Sequence, residues 1–320
     1  MSIVKRIAFL AVVTMLPLVV LAQSSLPVTI LVSSSPGSSR DNLARLMAQR
    51  LPEHLGRPVV IENKTGALGT IAIKEVITAP AGRSVYTLAP FTNLIFPPLT
   101  QQSSPYDPFK ELQPVANLAA IHLAVIVNTS IGASTPRELA AWLKQNPDKA
   151  QMGLQSIGGQ SNFLAMQLSK AVGVDFTYVG YRQASFFFTD LMSGRIPMAI
   201  MPLGEIGTGT KDPRIRALGV LTPKRSPLAP DVPTFIEQGI PVVSGDSWFG
   251  MWTSATTPKV DVLKMEEAIR KVLAMPDVQE AVTKHGMVAD FLTAEQTDRR
   301  LRAEQNVWAP TIKASGYRAD

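Results

Sequence analysis

The stretch Ser33-Ser34-Ser35-Pro36-Gly37-Ser38-Ser39-Arg40-Asp41 concentrates hydroxyls, a glycine and a guanidinium directly after the β-branched run Val28-Thr29-Ile30-Leu31-Val32. The chemistry such residues support is anion capture. A helix that begins at this loop leaves its first N–H groups without intrahelical partners and gathers partial positive charge there, which suits a carboxylate or a phosphate. Ser38 or Ser39 suits the cap position, and Leu43, Leu46, Met47 and Leu51 give the following helix an apolar face. An ordinary strand-to-helix turn has the same composition, so the segment alone leaves both readings open. A second loop of this kind, Gln155-Ser156-Ile157-Gly158-Gly159-Gln160-Ser161, again precedes a helix. Tyr181 and Arg182 follow the strand-like run 176–179. Arg182, like Arg40, carries a fork of donors matched to a carboxylate, the alternative being a solvated arginine on a rim and a tyrosine used for packing.

Catalysis has weaker support. Gly245-Asp246-Ser247 is reminiscent of a hydrolase nucleophile triplet, but Phe249 stands where the strained elbow would need glycine. Only His54, His122 and His285 could supply a base, and none has a spacing that pairs it with Ser247. His-Glu-x-x-His, phosphate-loop and Gly-x-Gly-x-x-Gly patterns are missing from the chain, and the 0 Cys rule out disulfides and thiolate metal sites. The reading is therefore of a non-enzyme without a metal or cofactor. Trp248, Phe249 and Trp252 read as packing residues, and of Phe186-Phe187-Phe188 on one helix at most two can face a core.

The elements that must position these loops alternate strand and helix almost throughout, which predicts an α/β architecture with mainly parallel sheets. Strands are expected at 28–32, 59–62 and 85–89, each ending in a polar or glycine-bearing loop on the same sheet edge, where open α/β sheets hold ligands. Helices are expected at 71–79, at 135–145 behind the box Thr135-Pro136-Arg137-Glu138, and at 258–274, 276–285 and 293–315. Thr234 to Glu237 reads as another helix start, and the proline-dense segment 96–114 reads as irregular. A strand at 123–127 carries the chain into a second lobe, and the stiff segment 222–233 returns it. The expected organisation is one discontinuous lobe from 26–121 and 224–320 and a second from 122–223, hinged by two crossovers.

Lys5 and Arg6 ahead of the uncharged stretch 7–22, which ends Val20-Leu21-Ala22, read as a secretory signal peptide over 1–22. The run is short for a bilayer span and Pro17 interrupts it, so export to a periplasm is expected, without a lipid anchor since there is no cysteine. Hydrophobic content of 46% and charge of 18% describe a packed soluble protein. The formal net charge is +6, two of it from Lys5 and Arg6, and no run interleaves Lys and Arg with aromatics, which argues against nucleic acid as a partner.

Several segments also occur in a familiar order: Ser33 to Asp41, Val59-Val60-Ile61-Glu62-Asn63 with Gly66-Ala67-Leu68-Gly69, Tyr86-Thr87-Leu88 leading to Thr92-Asn93, and Pro105-Tyr106-Asp107-Pro108. Val179-Gly180-Tyr181-Arg182, Pro230-Asp231-Val232-Pro233-Thr234 and Ser247-Trp248-Phe249-Gly250 complete the series. Together they resemble the Bug-type extracytoplasmic solute-binding proteins of tripartite tricarboxylate transport systems. The resemblance implies a two-lobed periplasmic-binding fold of type II that closes on a small organic acid, with the permease subunits of a tripartite carboxylate transporter as partner. A monomer is expected. Docking on a membrane sensor kinase, as a ligand-sensing co-receptor, is the alternative, and a hydrolase or transferase on the same layout a more distant one. By the same resemblance the ligand would meet Ser35, Gly37, Ser38, Ser39 and Thr92 from the first lobe, and Ser156, Gly159, Tyr181 and Arg182 from the second. The chain departs from the pattern at Ser38, Ser39 and Leu68, which replace glycines, and at Arg40, which replaces a threonine.

Overall fold

The computed structural model describes residues 26–155, 157–181, 184–207, 212–242 and 246–319, so the expected signal peptide lies outside the described residues. In chain order the strands are β1 (Val28–Val32), β2 (Val59–Asn63), β3 (Val85–Pro90), β4 (Leu112–Asn128), β5 (Gln151–Leu154), β6 (Thr177–Gly180), β7 (Met198–Pro202), β8 (Ile215–Val220), β9 (Asp246–Ser254) and β10 (Val288–Thr293). The helices are α1 (Ser39–Leu55), α2 (Thr70–Ile77), α3 (Phe91–Thr100), α4 (Pro108–Glu111), α5 (Pro136–Gln145), α6 (Gln160–Val172), α7 (Ala184–Ser193), α8 (Gly204–Gly207), α9 (Lys259–Leu273), α10 (Pro276–Lys284) and α11 (Ala294–Ser315).

β1 is buried along its whole length and pairs in parallel with β2 on one side and β3 on the other, as a continuous apolar run should. A second parallel ladder, β6-β5-β7, stands at the opposite end of the sheet. Between them the pairing is antiparallel and organised around β4. Its first part, Leu112 to His122, pairs with β9, and β10 lies against the same part. From Leu123 onward it pairs with β7, and from Ala124 with β8. The sheet is thus continuous through one long strand whose partners change between His122 and Leu123, rather than two separate parallel sheets. A strand of 17 residues, nearly all buried, has enough apolar length to serve both halves.

The segment expected to be irregular, 96–114, is instead largely regular, and the reason is local. Pro97 and Pro98 sit inside α3. Pro97 cannot donate to the Asn93 carbonyl four residues back, and the buried Tyr106 hydroxyl donates to that carbonyl in its place. Pro114 is accommodated in β4 beside a register shift, where a ladder N–H is not required. At Thr234 both reciprocal capping hydrogen bonds with Glu237 form, at 2.9 and 3.1 Å, but on a turn and not on a helix. Thr135 does cap α5 as expected. Strand β10, six half-buried residues without clean alternation, is an addition that the pattern of the sequence does not announce.

The largest fully buried side chains include Trp248, Trp252, Trp308 and Phe91. Phe91 stacks on Trp248 with ring centroids 5.4 Å apart, and the Trp248 and Trp308 indoles both donate to Glu304, at 3.3 and 2.9 Å. Burial pushes the Glu304 pKa up, the two indole hydrogen bonds opposing it. Of the three consecutive phenylalanines, Phe187 is buried and Phe186 exposed.

Candidate functional site

A cavity of about 340 Å³ opens where β4 changes partner, a size within the roughly 300–1,000 Å³ of small-molecule sites. Ile121 and Leu123 form its floor on either side of the switch, and Pro90, Thr92, Asn93 and Phe96 come from the end of β3 and the start of α3. Ile200, Met201 and Pro202 enter from β7, Gly158 to Ser161 from the start of α6, and Ser247 and Phe249 from β9. Arg40, Leu68 and Gln155 complete the lining.

The charged pole of this cavity is Arg40, in the first turn of α1. Its guanidinium donates to the Ser33 carbonyl at 3.1 Å and to the Ser33 hydroxyl at 2.6 Å, and lies 5.2 Å above the centre of the Phe249 ring. The Ser33 oxygen also accepts from the Asn93 amide at 2.8 Å, so its own hydrogen is left to point elsewhere. The Arg40 Nε is buried without a hydrogen-bond partner, and among the described residues no carboxylate forms an ion pair with this guanidinium. Desolvation pulls the Arg40 pKa down to about 10, which still leaves it charged at neutral pH. A half-buried cation on the wall of an open cavity, without a paired carboxylate among the described residues, suits an anion.

In the loop ahead of α1, Gly37 and Ser38 are engaged in local hydrogen bonds. The Gly37 N–H donates to Asp41 at 2.8 Å, and Asp41 also accepts from Arg45 and Asn63, each at 2.8 Å. Ser38 caps the helix by accepting from the Asp41 N–H, and its hydroxyl lies 2.7 Å from that of Ser34. Ser35, Gly37, Ser38 and Ser39 therefore lie outside the cavity lining, and what the loop presents to the cavity is Arg40. Burial alone would raise the Asp41 pKa, but the hydrogen bonds from Arg45, Asn63 and Gly37 outweigh it and hold the group at about 2.

Thr92 and Gly159, expected at the site, do line the cavity. Gly159 occupies the cap position of α6 with no side chain capping the helix, so the start of a helix of 13 residues borders the cavity. Ser156 and Arg182 lie outside the described residues. Tyr181 is turned into the second half of the fold: its hydroxyl donates to Asp190 at 2.8 Å and its ring meets Phe187 edge-on at 5.4 Å. Burial and that acceptor push its pKa up to about 12. The residues missed by sequence reasoning are mostly apolar wall. Phe249 reads as packing by residue type, yet it is at once buried and the platform beneath Arg40.

Nearer the mouth, four successive residues have left-handed backbone: Gly66, Ala67, Leu68 and Gly69, with φ of 116°, 46°, 51° and 84°. The glycines take this conformation freely, and at Gly69 a side chain would also collide with Asn93, whose amide nitrogen is 1.9 Å from where a Cβ would stand. Ala67 and Leu68 hold it at a cost of about 1–2 kcal/mol each. Leu68 lines the cavity while remaining 45% exposed.

His122 approaches Ser226 at 2.8 Å and Asp246 at 3.9 Å, an arrangement with the residue types of a hydrolase triad. Ser226 is 1% exposed and its hydroxyl accepts from the Leu228 N–H, so it offers no nucleophile to a substrate. Burial lowers the His122 pKa, partly opposed by Asp246 and Asp290. Among the described residues no helix is long and apolar enough to cross a membrane, and no cluster of His, Cys, Asp and Glu could hold a metal ion.

Residues 43–317 match the family model described as tripartite tricarboxylate transporter family receptor. A UPF0065 protein of Agrobacterium vitis is 30% identical over 321 residues, covering 97% of this chain and 91% of its own. Protein BugT of Bordetella pertussis is 28% identical, covering 91% of this chain and 89% of its own. Among solved structures, the R. palustris protein Rpa4515 with adipate superposes with a TM-score of 0.79 at 26% identity, over 91% of this chain and 97% of that one.

Proposed function

From the premise that the chain belongs to the tripartite tricarboxylate transporter receptor family, whose members are solute-binding proteins and not enzymes, we propose that it captures a small carboxylate-bearing solute in the Arg40 cavity and delivers it to a tripartite permease. The observation that carries the reading is the Arg40 guanidinium, a half-buried cation on the wall of an open cavity with no ion-paired carboxylate among the described residues. A bound carboxylate would give this cation a counter-charge through paired, charge-assisted hydrogen bonds. The uncapped start of α6, which lines the same cavity, stands ready as a further source of donors. That a similar protein carries adipate supports the same chemical class.

The cavity spans the strand in which pairing changes partner, so closure would bring the α6 start toward Arg40. The division that serves this motion is 26–121 with 224–320 against 122–223, hinged at β4 and at the proline-rich return. Export by a signal peptide over 1–22 would place the mature protein in the periplasm, where the receptors of this family act.

The test is mass spectrometry of the small molecules that co-purify, followed by calorimetry with the acid found. Arg40→Gln should weaken that acid by about 1.5–3 kcal/mol, the range for hydrogen bonds to charged groups, with the fold intact. Unchanged affinity in Arg40→Gln would contradict the reading.

A further inference from the structure

We infer that Leu68 is a specificity-determining residue of this cleft, covering the apolar end of a bound carboxylate and favouring acids with a hydrocarbon body over short ones. The inference rests on the carboxylate reading above, but its observations are separate. The chain keeps a side chain of four carbons in a left-handed conformation that glycine would adopt without cost, between two glycines that do adopt it. Packing within the protein offsets only part of this, because Leu68 is 45% exposed. Its buried neighbours Ile73 and Val76 already fill the core side of the following helix.

What Leu68 does line is the cavity, where Pro90, Ile121, Leu123, Ile200 and Met201 supply hydrocarbon surface among polar residues such as Gln155, Gln160 and Ser247. A ligand tail lying along that wall would remove both its own surface and that of Leu68 from water. The distance between the two poles is fixed by the fold. Gly69 packs directly on Asn93, and Asn93 donates to the Ser33 hydroxyl that also accepts from Arg40. Loop 66–69 and the guanidinium are thereby braced against one small polar unit, so Leu68 measures how far an acid extends from the carboxylate.

The experiment is calorimetric titration of the wild-type protein, Leu68→Gly, Leu68→Asn and Arg40→Gln with acetate, butyrate, hexanoate and adipate. Asparagine is close to leucine in size and tolerates left-handed backbone, so Leu68→Asn removes apolar character without adding strain. In the wild type, affinity should rise by about fourfold for each methylene that becomes buried between acetate and hexanoate. In both Leu68 variants the ratio of acetate Kd to hexanoate Kd should fall at least fivefold, while Tm stays equal to or above that of the wild type. Arg40→Gln should weaken acetate and hexanoate by similar factors and leave the ratio in place. A ratio unchanged in the Leu68 variants, or a wild type that binds hexanoate no better than acetate, overturns the inference while leaving the carboxylate reading standing. Failure of all four acids to bind the wild type overturns both.

Discussion

Asp41→Asn tests the physical logic of the loop that aims Arg40. The wild-type carboxylate is 1% exposed and accepts from Gly37, Arg45 and Asn63, all at 2.8 Å. Asparagine keeps the shape but loses the charge, and its amide nitrogen must face one of these donors. A carboxyl whose pKa falls from 3.8 to about 2 on folding contributes about 2 kcal/mol at neutral pH, at roughly 1.4 kcal/mol for each tenfold change. The folded pKa is the depressed one, so this stability is fully present above pH 3.8 and is lost as the pH falls toward 2. Urea unfolding at pH 7 should therefore show Asp41→Asn less stable by about 2–3 kcal/mol with an unchanged m-value, and the gap should narrow as the pH is lowered from about 4 to about 2. A gap under about 0.5 kcal/mol at pH 7, or one that persists undiminished at the acid end, would refute the reasoning.

Tyr181→Phe should lower stability by about 1 kcal/mol through loss of the hydrogen bond to Asp190 and leave acid affinity unchanged, as read by paired denaturation and calorimetry. Tyr106→Phe should cost about 1–3 kcal/mol in urea unfolding, because the Asn93 carbonyl facing Pro97 then has no donor. N-terminal sequencing of the exported protein should begin at or near Gln23, and recovery of Met1 in the membrane fraction would contradict export.

Much of the architecture is legible in local chemistry. β1 announces itself as a run rich in β-branched residues, α5 by Thr135 and Pro136, and α11 by Thr293 with Gln296, which form a complete capping box. Helix α3 is hidden because its two prolines argue against a helix, and the compensation comes from Tyr106, whose contact is tertiary. The continuous sheet is hidden for a related reason. Strand periodicity reports burial but not which partner lies alongside, so a single strand from Leu112 to Asn128 serving both halves is not visible in it.

The site was legible as a place more than as a set of atoms. The strand-to-helix loops at α1, α3 and α6 do converge on the cavity, through Arg40, Thr92 and Gly159. What composition cannot display is that Asp41 folds back to accept from the Gly37 N–H, and that Arg40 is the part of this loop that lines the cavity. An acidic residue in the first turn, behind the glycine of the loop, is the signal that could have revealed it. Leu68 is concealed similarly, since its left-handed backbone exists only in the folded loop.

The central claim is that Arg40 receives the carboxylate, and the crystal structure of the protein with its co-purified acid tests it most directly. Both carboxylate oxygens should lie about 2.7–3.2 Å from donors of the Arg40 guanidinium, with the body of the acid along Ile121, Leu123 and Met201. An acid held instead by the backbone of residues 36–39, with the Arg40 guanidinium making no contact to it, would contradict the account.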